Sequence, residues 1–246
     1  GATGEKRFIE PLQGVARSPR LCALPDDKTL ADLSEALFDT RYLITENFCE
    51  GELPKSSKYY DLGAASNGGA GASWKIDYAS AASFASIPLF TSLYRDRCVT
   101  FDAIYAWEAE PAAKDWWEPV PDEERAKIRF YNAPVEELGC PETLLGRHPR
   151  HGSFLRLLLA TASVEDFVVV KVDIDGGPEL AIVEAIAERP ELARLVDELY
   201  FEYHFEFDFD FGWGGSNWDG AGRTVDTAMN LMHRLRQAGI RAHFWI

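Results

Sequence analysis

Apolar and polar residues alternate along this chain in two periods, and the clearest segment is DFVVVKVDID, residues 166–175. Its almost unbroken run of valines predicts a central strand covered on both faces, as in a parallel sheet. GGPELAIVEAIAERP follows at 176–190, with Leu180, Ile182, Val183 and Ile186 on one apolar side. Pro178 sits where a first helical residue belongs and Pro190 where the helix would stop. The same succession recurs elsewhere. YYDLGA (59–64), FDAIYAWEA (101–109) and KIRFYNAPV (127–135) read as strands, and SWKIDYASAASF (73–84) as a helix. VDELYFEYHFEFDFDFGW (196–213) alternates aromatic and acidic residues with period two, which predicts a fifth strand with one buried and one polar face. TVDTAMNLMHRLRQAG (224–239) reads as a helix with Thr224 as N-cap and Gly239 as its stop, and IRAHFWI as a sixth strand. Strands alternating with helices imply an α/β fold, a doubly wound, mostly parallel Rossmann-like sheet over residues 59–246. Residues 1–58 are Pro-rich and irregular, then helical in pattern at Leu30, Leu33, Leu37 and, less regularly, Tyr42. They are expected to form a helical N-terminal cap on the main domain.

Composition narrows the partners. Forty acidic residues against 25 Lys and Arg give a formal charge of −15, with no basic cluster to offset it. Such a field repels nucleic acid and anionic lipid and suits a small-molecule or cationic ligand. The most apolar stretch, AASFASIPLFTSLY (81–94), is too short, too rich in serine and interrupted by Pro88, so no membrane insertion is expected. The opening GATGEKRF has no signal-peptide pattern, which leaves cytoplasm and secretory lumen both open, and oligomeric state is not legible. The cysteines, Cys22, Cys49, Cys98 and Cys140, form no C-x-x-C pair, which argues against zinc. Four cysteines allow three disulfide connectivities; the simpler expectation is four reduced, mostly buried thiols.

The first strand runs into a loop with Gly63, Gly68, Gly69 and Gly71. Glycine at a first strand-to-helix turn lets backbone N–H groups approach a ligand. An acidic residue ending the second strand can then accept both ribose hydroxyls, and Glu108 holds that position. Asp61 precedes Glu108 by 47 residues, whereas the usual gap from the glycine turn is about 20, so residues 80–98 are expected to be an insertion in the first crossover. The glycines do not fit G-x-G-x-x-G, and no P-loop Lys-Ser/Thr pair is present. An NAD(P)-dependent oxidoreductase or a nucleoside triphosphate is therefore less well matched than a ligand with a positive amine beside its ribose, which would suit Asp61. The plain alternative is a ligand-free connection and a solvated Glu108. If the loop does meet a ligand, a side chain at Gly63 should block it with little cost to the fold.

YYDLGAASNGG, IYAWEAEP, RFYNAPV and DFVVVKVDIDGGPE occur in the order found in class I S-adenosylmethionine (SAM)-dependent methyltransferases, and the chain most resembles the FkbM type. The resemblance spans about residues 59–246. It implies that Asp61, Gly63 and Ala64 line the methionine end of SAM, that Gly68 also contacts the cofactor, that Glu108 holds the ribose, and that Asn132 lies near the adenine. It also implies that Lys171, Asp173 and Asp175 sit near the transferable methyl. Three features depart from the family: a longer nucleotide loop, two residues between Glu108 and Pro111, and Asp175 in place of glutamate. The family's usual seventh strand is not recognised in the pattern.

Methyl transfer is an in-line displacement that needs alignment and, for a hydroxyl acceptor, a base. Asp173, Asp175 and His204 are the candidates. Asp173 and Asp175 share one strand face, as do Glu202 and His204 on the neighbouring strand. Those four could also hold Mg²⁺ or Ca²⁺, although no metal ligand set is favoured. His204 as an ordinary hydrogen-bonded strand histidine, and Glu206, Asp208 and Asp210 as a solvated face, are the plain alternatives. Tyr203, Phe205, Phe207, Phe209 and Phe211 fit a core better than a substrate platform. Trp213 and Trp218, in a glycine-rich loop, could stack on a sugar or aromatic acceptor. The expected activity is O-methylation of a small-molecule or glycan hydroxyl. The rival is an inactive methyltransferase-like binding domain.

Overall fold

A computed structural model describes residues 43–64, 86–109, 116–117, 120–135, 154–174, 178–205 and 222–245. Six strands form one all-parallel sheet: β1 (Ser57–Leu62), β2 (Ala103–Trp107), β3 (Ile128–Tyr131), β4 (Phe167–Val172), β5 (Glu198–Glu202) and β6 (Arg241–Trp245). Their order is β3-β2-β1-β4-β5-β6. The order reverses between β1 and β4, where Asp61 pairs with Lys171 and Leu62 with Val172. Ligands in open α/β sheets bind beyond the strand ends at such a reversal. β6 pairs directly with β5, Glu198 opposite Arg241 and Glu202 opposite Trp245, so no further strand lies between them.

Helices cover both faces. α1 (Ser86–Arg95) packs Phe90, Leu93 and Tyr94 against Tyr59, Ile104, Val169 and Tyr200. On the other face α3 (Phe154–Thr161), α4 (Pro178–Glu188) and α6 (Val225–Gln237) bury Tyr60, Leu62, Val168, Val170 and Phe201. The short α2 (Asp122–Arg125) and α5 (Pro190–Ala193) are connecting turns. Every residue of β4 is buried, as its valine run predicts.

Several expectations change. Residues 80–98 were expected to be an insertion, but α1 itself lies within them. Pro88 falls in its first turn, where a missing N–H costs no helical hydrogen bond. Pro190 does not only end α4; it opens α5. β5 stops at Glu202 and is buried on both faces, because Glu198 has protein partners in place of water. Tyr94 and Tyr200 donate hydroxyls to its carboxylate and the Glu46 N–H joins them. Tyr203 and Phe205 are core residues, as expected.

Residues 43–56, assigned to the cap, pack on the domain itself. Leu43 joins the α1-side core, and the Phe48 ring meets Phe167 edge-on at 5.0 Å. Phe48 donates its N–H to Arg97 at 3.1 Å. That contact brings Cys49 beside Cys98, and the two form a disulfide, so they are not the reduced thiols expected. The predicted helices at 28–44 and 73–84 fall mostly or wholly outside the described residues, as do Cys22 and Cys140. Among the described residues, no helix is long and apolar enough to cross a membrane.

Candidate functional site

The carboxyl ends of β1, β4 and β5 bring together a line of ionisable groups. Asp61 and Lys171 are in-register neighbours on the α1 face, both essentially inaccessible. The Lys171 ammonium lies 2.5 Å from Asp173 Oδ2, 3.5 Å from Asp61 Oδ1, and donates to the Gly63 carbonyl at 3.1 Å. Burial alone would lower the lysine pKa, but Asp173 and Asp61 drive it above its ordinary value. Lys171 is thus a fixed cation that ties two strand ends together, rather than a base or nucleophile. It fills the place between two carboxylates that a metal would otherwise have to take. Among the described residues, no three His, Cys, Asp or Glu side chains are arranged to hold a metal ion.

Asp61 faces inward. It accepts a hydrogen bond from Ser86, the first residue of α1, and is fully buried. Burial pushes its carboxyl up, and the more distant Lys171 only partly offsets that. Its other oxygen, Oδ1, lies 3.5 Å from Lys171 and has no hydrogen-bond partner among the described residues. Gly63 has φ +85°, and a Cβ on it would lie 1.5 Å from the Asp173 carbonyl oxygen. The expectation that a side chain there spares the fold is therefore overturned. Glycine is required because two backbones touch. Ala64 is buried, its N–H on the Trp107 carbonyl at 2.8 Å and its carbonyl accepting the Trp116 indole N–H at 2.7 Å.

Asp173 keeps 23% of its side chain exposed, the largest share in this group. Burial acts to raise its pKa, but Lys171 foremost and Glu202 by hydrogen bonding hold it below the usual carboxylate range. Glu202 is pushed well up, by burial and then by the Asp173 charge. Within the pair the proton is held more tightly by Glu202 than by Asp173. His204 follows β5, with Nε2 3.4 Å from Glu202 and 3.9 Å from Glu179. Glu179, in the first turn of α4, is fully buried, and neither carboxyl oxygen has a side-chain hydrogen-bond partner. Burial raises its pKa to about 7, against the pull of His204 and Arg223. Arg223 approaches it at 3.5 Å.

Glu108 is half-buried at the end of β2, one strand from the reversal, and its N–H bonds Tyr131 at 3.1 Å. The exposed Asn132 donates its side-chain amide to the Glu108 carbonyl at 3.0 Å. β2 and β3 thus present Glu108 and Asn132 side by side, as their sequence positions imply. Gly68 and Asp175 lie outside the described residues, as do Glu206, Asp208, Asp210, Trp213 and Trp218.

Ser86, Glu179 and Arg223 were not singled out from sequence. An acid in a first helical turn reads as a solvated dipole partner, and nothing local marks Glu179 as buried. Comparisons with family models, with curated proteins and with solved structures return no match.

Proposed function

We propose that this chain is a SAM-dependent methyltransferase acting on a hydroxyl of a small molecule or glycan. The observation that carries the reading is Glu108, a carboxylate at the end of β2 beside the β1/β4 reversal, braced by Asn132. A carboxylate there suits a vicinal diol such as a ribose. The Asp61–Lys171–Gly63 bonds fit as the scaffold that holds the turn beside it. SAM would supply an activated methyl group. The protein's own part is alignment and proton handling, with Asp173 the ionised, partly exposed acceptor and His204 next in line.

Calorimetry with SAM, S-adenosylhomocysteine and NAD tests this directly. Glu108→Ala should weaken SAM binding by roughly 1.5–3 kcal/mol, the range for hydrogen bonds to a charged group. Unchanged affinity in the folded variant would remove Glu108 from the site.

One observation favours a second reading. The order 3-2-1-4-5-6, with β6 directly on β5, is that of dinucleotide-binding sheets. An NAD(P)-dependent oxidoreductase follows if NAD binds and SAM does not. The missing G-x-G-x-x-G pattern weighs against it. Binding of SAM without turnover on any acceptor would instead indicate an inactive binding domain.

A further inference from the structure

Just beyond the end of β5, a cleft of about 520 Å³ opens between α4 and α6. Leu180 and Leu231 supply apolar walls, Tyr203 and Asn230 polar ones, and Arg223 and Arg234 two positive charges. The arginines differ. Arg234 is anchored by Glu188 at 3.0 Å and Glu184 at 3.6 Å. Arg223, with 11% of its side chain exposed, has one ion-pair contact among the described residues, Glu179 at 3.5 Å, and no hydrogen bond is seen from its five donors. Behind it, the fully buried Glu179 carboxyl is equally short of hydrogen bonds. The Arg223 donors still reach solvent, so an anion in the cleft would replace water as their acceptor.

Two arginines face the cleft against one glutamate, Glu184, which Arg234 already neutralises. Glu179 and Glu188 stand just behind the two arginines, so the cleft carries no net positive field, and what it offers an anion is the open donors of Arg223. A guanidinium fork matches the paired oxygens of a carboxylate or phosphate. We propose that this cleft binds a small molecule carrying a carboxylate or phosphate on a neutral polar body, with the anionic oxygens on Arg223 and the body between Asn230 and the leucines. This second site shares no residue with Glu108, but through Arg223 and Glu179 it abuts His204, which the methyltransferase reading uses.

The test is titration of the full chain with glucuronate, glucose 6-phosphate and glucose at physiological salt, read by calorimetry or by amide NMR shifts. At least one anion should bind ten times more tightly than glucose or better. The anion preferred distinguishes carboxylate from phosphate. Arg223→Gln should weaken that anion by about tenfold to a hundredfold. Asn230→Asp, at an exposed position on the cleft wall, should weaken it severalfold and decides the matter if Arg223→Gln does not fold. The proposal is overturned if neither anion exceeds glucose, or if a folded Arg223→Gln, or Asn230→Asp in its place, binds like the parent. SAM titrated in parallel keeps the two readings apart.

Discussion

Gly63 and Glu179 show how much a single residue decides at the sheet edge. At Gly63 the backbone is left-handed and a Cβ would overlap the Asp173 carbonyl. Gly63→Ala should destabilise the protein by roughly 2 kcal/mol or more, the left-handed penalty plus displacement of the β4 end. Chemical denaturation measures it, and a loss below about 0.5 kcal/mol would show that the two backbones are not in contact. Glu179 makes a pH prediction. Its pKa lies at about 7 instead of the ordinary 4.5. The folded state then binds the proton more tightly than the unfolded state, so stability falls as pH rises from about 4.5 through 7. The loss from this group is on the order of 3 kcal/mol. Glu179→Gln mimics the neutral acid and should flatten the fall across pH 5–8. Parallel urea-midpoint profiles for the two proteins would sink the assignment.

At the scale of elements, α6 is specified by its ends. Thr224 accepts the Thr227 N–H at 3.2 Å, and the Thr227 side chain accepts the Thr224 N–H at 2.9 Å, a reciprocal cap. At the other end Gly239 has φ +97°, with Ile240 N–H on the Leu235 carbonyl and Gly239 N–H on that of Arg236. This double closure is the left-handed stop that glycine allows. Thr224→Ala should cost about 1 kcal/mol, measured as a lower urea midpoint with unchanged slope. No loss would mean that packing of Ala228, Leu231, Met232 and Leu235 alone fixes the helix. Both ends were legible because caps act within a few residues. β5 was misread because alternation of aromatic and acidic residues describes a half-exposed strand only if the acids reach water. Glu198 instead meets two tyrosine hydroxyls and a backbone N–H from distant segments. No local pattern encodes that.

The whole molecule is closed at the end opposite the site by the segment before β1. The Cys49–Cys98 disulfide joins it to the turn after α1, across 49 residues. Cross-linking a loop of that length restricts the unfolded chain, typically by 2–4 kcal/mol. Reduction, or Cys49→Ser with Cys98→Ser, should lower stability by about that amount while leaving SAM affinity within twofold, since the bond is far from Glu108. Thermal melts with and without reductant test the first part, and calorimetry the second. An equal melting temperature in both would mean that Phe48 and Leu43 hold the segment unaided.

The sequence by itself determined the fold class, the strands, the helices α4 and α6, the place of the glycine turn and the two strand-end residues Glu108 and Asn132. These follow from period, caps and position in an α/β alternation, all of which are local. Tertiary structure alone decided the strand order, the disulfide, and which charges are internal. Asp61 and Lys171 stand 110 residues apart in the chain and become neighbours only when β1 pairs with β4. Whether Asp61, Glu179, Glu198 or Arg223 meets water or protein is likewise settled by long-range packing. Burial is a property of the assembled fold, and a carboxylate carries the same letter in either place.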